Sequence, residues 1–168
     1  MENFIKSLHK AIKNCNWYAA LFIAISLPDI CGKIEYPRKE SSVRYADWFD
    51  KYLKSYKGFL SGKDCYALRC ALLHEGSADI TNQKIREVLE YFVFLPKGPH
   101  CNLIKNCVIY GKNQSFLQLR VDTFTSDLAN GVESWLQDIK DNEIIIKRCD
   151  ETIKIYESGF TVGGIHFC

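Results

Sequence analysis

Residues 17–27, WYAALFIAISL, run for eleven positions without a charge, and nothing in the chain limits its fold more. A helix of this composition is apolar on nearly every side, so it must be enclosed by other elements rather than lie on a surface. Eleven residues fall well short of the roughly 20 needed to cross a bilayer. Lys10 and Lys13 precede the run and give it the look of a secretory leader. However, Glu2 sits in the would-be basic region, no small-x-small pattern closes the run, and Pro28-Asp29 follows it. The expectation is a buried helix over 16–34, kinked or restarted at Pro28.

The elements that would enclose it are legible. Phe4, Ile5, Leu8, Ala11 and Ile12 give residues 2–14 the i, i+3/i+4, i+7 spacing of an amphipathic helix. A helix over 41–56 would present Val43, Tyr45, Ala46, Trp48, Phe49, Tyr52 and Leu53. Another over 122–140, capped by Asp122, would present Phe124, Leu128, Val132, Trp135 and Ile139. Between 61 and 76 lies a short helix bounded by Ser61, with Asp64 three positions on as a capping pair, and by Gly76 as its terminator. Residues 88–95, VLEYFVFL, read as a strand ending in the Pro96–Pro99 turn. Val108-Ile109-Tyr110 and 116–121 read as a hairpin around Gly111-Lys112-Asn113. A last helix is expected over 144–156, followed by an apolar tail, 160–168, as a small strand or packed coil. The fold class predicted is mainly α: one domain, residues 1–168, a helical bundle with a small antiparallel β element at about 88–121.

Composition narrows function mostly by exclusion. The formal net charge is +2, which gives no overall pull toward nucleic acid or membrane. The cysteines stand at 15, 31, 65, 70, 101, 107, 149 and 168 without a C-x-x-C pair. His100-Cys101 and Cys107 lack the four-ligand spacing of structural zinc. Free, mostly buried thiols in a reducing compartment are therefore expected, with no metal, no cofactor and a cytoplasmic location. No P-loop, G-x-G-x-x-G, H-E-x-x-H or G-x-S-x-G motif occurs.

The segment richest in chemistry is the capped helix. Arg69 and His74 are five residues apart, about 7.5 Å along the axis and about 140° around it. The arginine is long enough to fold toward the histidine's edge. His74 lies in the last turn, where the helix dipole favours an imidazolium. Arg69 can grip a phosphate with a planar fork whose charge does not depend on pH. A proton carrier and a guanidinium at one phosphodiester suffice for RNA cleavage without a metal. With one such histidine per chain, acid and base together would require two copies.

Residues 60–76, LSGKDCYALRCALLHEG, resemble the signature of the HEPN superfamily, in which an arginine and a histidine stand four to six residues apart within a helical bundle. Arg69-Cys-Ala-Leu-Leu-His74 carries the match, and the helices over 2–58 resemble the family's bundle. The resemblance implies a dimer whose active members are metal-independent ribonucleases in phage defence, toxin–antitoxin and RNA-processing systems. By it, Arg69 and His74 form the catalytic pair. The chain departs from the pattern at Cys70, where active members often carry a polar residue, and in the strands that follow the motif.

Asp29 ends a nearly all-apolar helix and needs a partner, Arg69 or Arg44, so it is a supporting candidate. Glu75 is a further possible partner for Arg69. Tyr66, three residues before Arg69, is either a base-stacking side chain or core. Cys65 and Cys70 read as structural thiols. Lys51, Lys54, Lys57 and Lys63 read as solvated surface or a phosphate guide. The expected partners are RNA, a second copy of the chain, and a partner protein or antitoxin, with no membrane. The alternative function is a non-catalytic interaction component, in which an internal ion pair locks Arg69 and the β element with the apolar tail binds the partner.

Overall fold

The computed structural model describes every residue except Tyr110 and Glu157. Among the described residues, six α-helices and two small sheets follow one another as α1 (Glu2–Lys13), α2 (Trp17–Glu35), α3 (Ser41–Tyr52), α4 (Gly62–Glu75), β1 (Tyr91–Leu95), β2 (Asn102–Ile109), β3 (Lys112–Arg120), α5 (Val121–Ile139), α6 (Glu143–Asp150), β4 (Phe160–Val162) and β5 (Ile165–Phe167). The protein is mainly α, with the β elements confined to its second half.

Helix α2 is the hub. It packs against α1, α3 and α5, with further contacts to α4 and α6. Ala20, Ala24, Ile25, Leu27 and Cys31 are fully buried, so the all-round apolarity of the segment is spent on neighbours. The whole helix is 19 residues, and by length and hydropathy it could cross a membrane; in this fold it is the core of a bundle. Pro28 sits inside it without ending it. The Asn16 side chain caps the start by accepting from the Ala19 amide at 3.3 Å.

Helix α3 is shorter than the 41–56 expected. It stops at Tyr52, and residues Lys54–Tyr56 tighten into a 3-10 turn that carries Tyr56 back into the core. Helix α4 begins as expected on Ser61, whose Oγ accepts from the Asp64 amide at 3.1 Å, and ends on Gly76 at φ 64°. The reciprocal half of the expected capping pair does not form. The buried Asp64 carboxylate turns away from Ser61 instead and accepts from the Glu87 amide at 2.6 Å and the Val88 amide at 3.3 Å, tying α4 to the loop before β1.

Two strands come out differently from the expectation. The strand expected over 88–95 begins only at Tyr91, and it pairs with β3 in parallel, Tyr91 opposite Phe116, making the sheet mixed in the order β1-β3-β2. The hairpin is longer than 108–110 against 116–121. Strand β2 pairs with β3 antiparallel from Asn102, through a bulge between Ile104 and Cys107, so that Lys112 and Asn113 belong to β3 rather than to the turn. Tyr110, expected in the first strand, lies outside the described residues. Phe92, Leu117 and Leu119 face the core.

Helix α5 starts on Val121, one residue before the expected cap. Asp122 lies inside the first turn, where it accepts from the Thr123 amide and from Arg120. Its predicted stripe from Phe124 to Ile139 is buried throughout. The last helix ends at Asp150 rather than Tyr156. Thr152 Oγ1 bonds back to the Cys149 carbonyl at 2.8 Å, and beyond it Ile153 and Ile155 are exposed, with no core surface to hold another turn. The tail is a hairpin, not packed coil. Only Cys31, Cys65 and Cys149 of the eight thiols are buried, fewer than expected, and all eight are free.

Candidate functional site

Asp29 lies within α2, six residues before its end, on the side facing α3 and α4. Its two oxygens divide between two arginines: Oδ2 accepts from Arg69 Nη2 at 2.8 Å, and Oδ1 from Arg44 Nη2 at 2.9 Å. Ser41 Oγ also donates to Oδ1, at 3.2 Å. The side chains are mostly enclosed, at 15% exposure for Asp29, 13% for Arg44 and 21% for Arg69. At that burial an ion pair is screened far less than on an open surface. Arg44 Nη1 reaches the Lys39 carbonyl at 2.9 Å, which ties the loop between α2 and α3 into the same cluster. One carboxylate between two guanidiniums leaves the cluster with an excess of positive charge.

Of the alternatives open for Arg69, the Asp29 pairing is the one found. Glu75 is occupied elsewhere, accepting from Gln83 Nε2 at 2.9 Å. Arg69 turns its other terminal nitrogen, Nη1, to within 3.4 Å of His74 Nε2. The pair separated around the helix by sequence is thus joined by the reach of the arginine. A guanidinium has no acceptor, so this contact requires an unprotonated Nε2. When His74 is protonated, both groups become donors facing one another, and an anion between them would accept from both. His74 is exposed at the helix end, whereas Arg69 is anchored.

Tyr66 is half-buried. Its ring lies 6.0 Å from the Arg69 guanidinium carbon and packs edge-on against Tyr45 at 5.3 Å. Burial raises its phenol above the ordinary value. It serves the arginine's position more directly than it offers a free stacking face. Cys65 is buried beside the Tyr45 hydroxyl at 3.4 Å, and burial pushes its thiol up to about 12, which removes it as a nucleophile. The lysines do not act as one patch: Lys51 pairs with Asp138 at 3.4 Å and Lys63 with Glu87 at 3.0 Å. Among the described residues no cluster of His, Cys, Asp and Glu could hold a metal ion.

A second polar cluster has no counterpart in the sequence reading. His100 Nδ1 accepts from the Arg120 amide at 3.1 Å, which places the ring proton on Nε2, 2.9 Å from the Tyr56 hydroxyl. Tyr56 in turn donates to Asp127 at 2.8 Å. The chain of bonds joins the loop before β2, the 3-10 turn and α5. Its members lie 44 and 71 positions apart from Tyr56, so no local pattern could have announced it.

Burial lowers the His100 imidazole below its ordinary value, with Arg120 adding to the shift and Asp127 and Asp122 opposing it. The unfolded chain therefore binds the proton more readily. This contribution to stability is complete above pH about 6.5 and is lost as pH falls from there through the lowered value. His100→Gln, which cannot titrate, should trail the wild type by about 1 kcal/mol in urea unfolding at pH 7.5 and by less at pH 5. A constant difference across that range would show that His100 does not titrate with folding.

Compared with family models, with curated proteins and with solved structures, the chain has no match.

Proposed function

We propose that this protein is a metal-independent endoribonuclease, or an RNA-binding relative of one, of HEPN-like type, acting as a homodimer in a cytoplasmic defence or toxin–antitoxin setting. The observation that carries the reading is the 3.4 Å approach of Arg69 Nη1 to His74 Nε2 on an exposed helix end, with Asp29 fixing the guanidinium from behind. A phosphodiester between those two nitrogens would meet one permanent and one titratable donor. The ribose 2′-hydroxyl attacks phosphorus as its proton passes to a neutral imidazole. The bond from phosphorus to the 5′-oxygen breaks, and that oxygen takes a proton from an imidazolium. The products are a 2′,3′-cyclic phosphate and a 5′-hydroxyl end. Arg69 stabilises the charge on the phosphorane, and the second imidazole comes from the second copy.

The test is cleavage of RNA in EDTA by the wild type, Arg69→Ala and His74→Ala, each checked for folding. Both variants should lose 10²-fold or more in rate, roughly what a positioned proton carrier contributes. Absence of cleavage by a folded, dimeric wild type would end the catalytic reading.

A different observation favours the interaction reading. In the hairpin of β4 and β5, Phe160 pairs with Phe167 and Val162 with Ile165, so four apolar side chains share one exposed face opposite Thr161 and His166. On this reading Val162→Asp abolishes binding of a partner protein while Arg69→Ala leaves it intact.

A further inference from the structure

A cavity of about 650 Å³ opens at the other end of α4 from His74. Ser61 and His74 stand thirteen positions apart, so the two lie about 20 Å apart along the helix. The end of α3, the turn after it, the first residues of α4 and the loop leading to β1 form its walls, with β2 closing one side. Its volume falls in the range of sites for small organic molecules, about 300–1,000 Å³.

The floor is apolar and fixed: Leu53, Leu60 and Leu89 are buried in the main core while lining the cavity. At the mouth, Phe59 and Val88 hold apolar surface open to solvent, at 43% and 51% exposure. Hydrocarbon is thus on offer from the base of the cavity to its rim.

The charges sort by whether they are already engaged. Asp50 Oδ1 accepts from the Gly62 amide at 2.8 Å. Asp64 holds the Glu87 and Val88 amides, and Glu87 pairs with Lys63. Burial also raises the carboxyls of Asp50 and Asp64, which opposes negative charge there. The three lysines of the lining, Lys54, Lys57 and Lys105, have no carboxylate partner among the described residues. Each acid of the cavity already accepts from one of the protein's own groups, while the three ammonium groups above the apolar floor have no carboxylate within 4.0 Å among the described residues.

We propose that this cavity binds a small amphipathic organic anion, with a hydrocarbon body against Leu53, Leu60 and Leu89 and a carboxylate at the lysine rim. A cationic ligand would compete for the acids with the Gly62, Glu87 and Val88 amides and with Lys63, and a polar anion such as free phosphate would leave the floor wet. The site is separate from the Arg69–His74 pair and does not depend on what that pair does. Because the loop at Glu87–Leu89 and strand β2 supply part of the lining, the bound anion also fastens the β element to the bundle.

The test uses decanoate and 2-naphthoate as aliphatic and aromatic probes, with 1-decanol and 2-naphthalenemethanol as their uncharged counterparts. Binding to the full chain is measured by thermal shift and by calorimetry at low and high salt. At least one of the anions should raise the melting temperature and bind at least tenfold more tightly than its alcohol, with the advantage shrinking in salt. Exchanging Lys54, Lys57 and Lys105 together for glutamine removes only exposed side chains and should weaken the anion at least tenfold while sparing the fold. Leu103→Trp, which fills the cavity, should remove binding of anion and alcohol alike; if it fails to fold, the triple glutamine variant still decides. Neither anion binding, equal binding of anion and alcohol, or full binding by the triple variant would overturn the proposal. Which probe binds tells whether the natural ligand has an aliphatic or an aromatic body.

Discussion

Asp29→Ala should lower the free energy of unfolding by about 3 kcal/mol, the lower part of the range for removing one partner of an enclosed ion pair. Two mostly buried guanidiniums lose their shared acceptor at once, and neither has a second carboxylate within 4.0 Å among the described residues. Arg44 Nε and Arg69 Nε already lack a partner, so the cluster has no slack in its hydrogen bonding. Asp29→Asn keeps one acceptor oxygen but turns an amide N–H toward the other guanidinium, so it should recover only part of that loss. Adding Arg44→Met to Asp29→Ala should recover part of the loss, since one of the stranded charges is then gone. Urea unfolding of the four proteins measures this directly. An Asp29→Ala protein as stable as the wild type would mean that the arginines reach water in solution and that the carboxylate does not hold them. The same series bears on the proposed chemistry. If Asp29 positions Arg69, Asp29→Asn slows RNA cleavage under conditions where the variant is still folded, while the dependence on His74 remains.

Trp135→Ala should have a larger effect, about 4–5 kcal/mol, near the top of the range for emptying an aromatic site. The indole is fully buried on α5, and its Nε1 donates to Glu35 Oε2 at 2.8 Å at the end of α2. The substitution opens a cavity against the hub helix and strands the Glu35 carboxylate near the core. Trp135→Phe retains much of the packing and loses the bond, so it should cost less than half as much. The difference between the two separates packing from hydrogen bonding. In a chain of this size, 4 kcal/mol corresponds to a fall in melting temperature of about 8–16 °C.

The positions of α1, α3 and α5 were readable from their apolar periodicity, that of α2 from its uninterrupted apolar run, and that of α4 from Ser61 and Gly76 at its ends; where no such group marks the end, as in α3 and α6, the expected helix was too long. The β element was harder. Its parallel pairing of β1 with β3 depends on which strand the chain returns beside after the hairpin, and no turn signature encodes that. The departure at Asp64 has the same origin. The sequence shows a capping pair, but the loop at 87–88 offers two amide donors that local spacing cannot reveal, and they win the carboxylate. In the candidate site, Asp29 and Arg69 announced themselves as a charge at the end of an apolar helix and a long cation in need of a partner. That both arginines would share Asp29, with Ser41 beside them, follows from the packing of α3 and α4 against α2, and so from the tertiary fold. The Tyr56–His100–Asp127 chain is invisible to any reading by windows. Each of its members is ordinary in its own segment.

The placement of α5 has a consequence for how the chain is made. Helix α2 is complete at residue 35, yet one of its main neighbours ends only at residue 139, after the whole β element has been synthesised. At about 5–20 residues per second, the intervening hundred or so residues take about 5–20 s. During that time α1, α3 and α4 can cover only part of α2, and the strip reserved for α5 stays open on the ribosome. The most hydrophobic helix of the protein is therefore fully enclosed only when Phe124, Leu128, Val132 and Trp135 of α5 arrive.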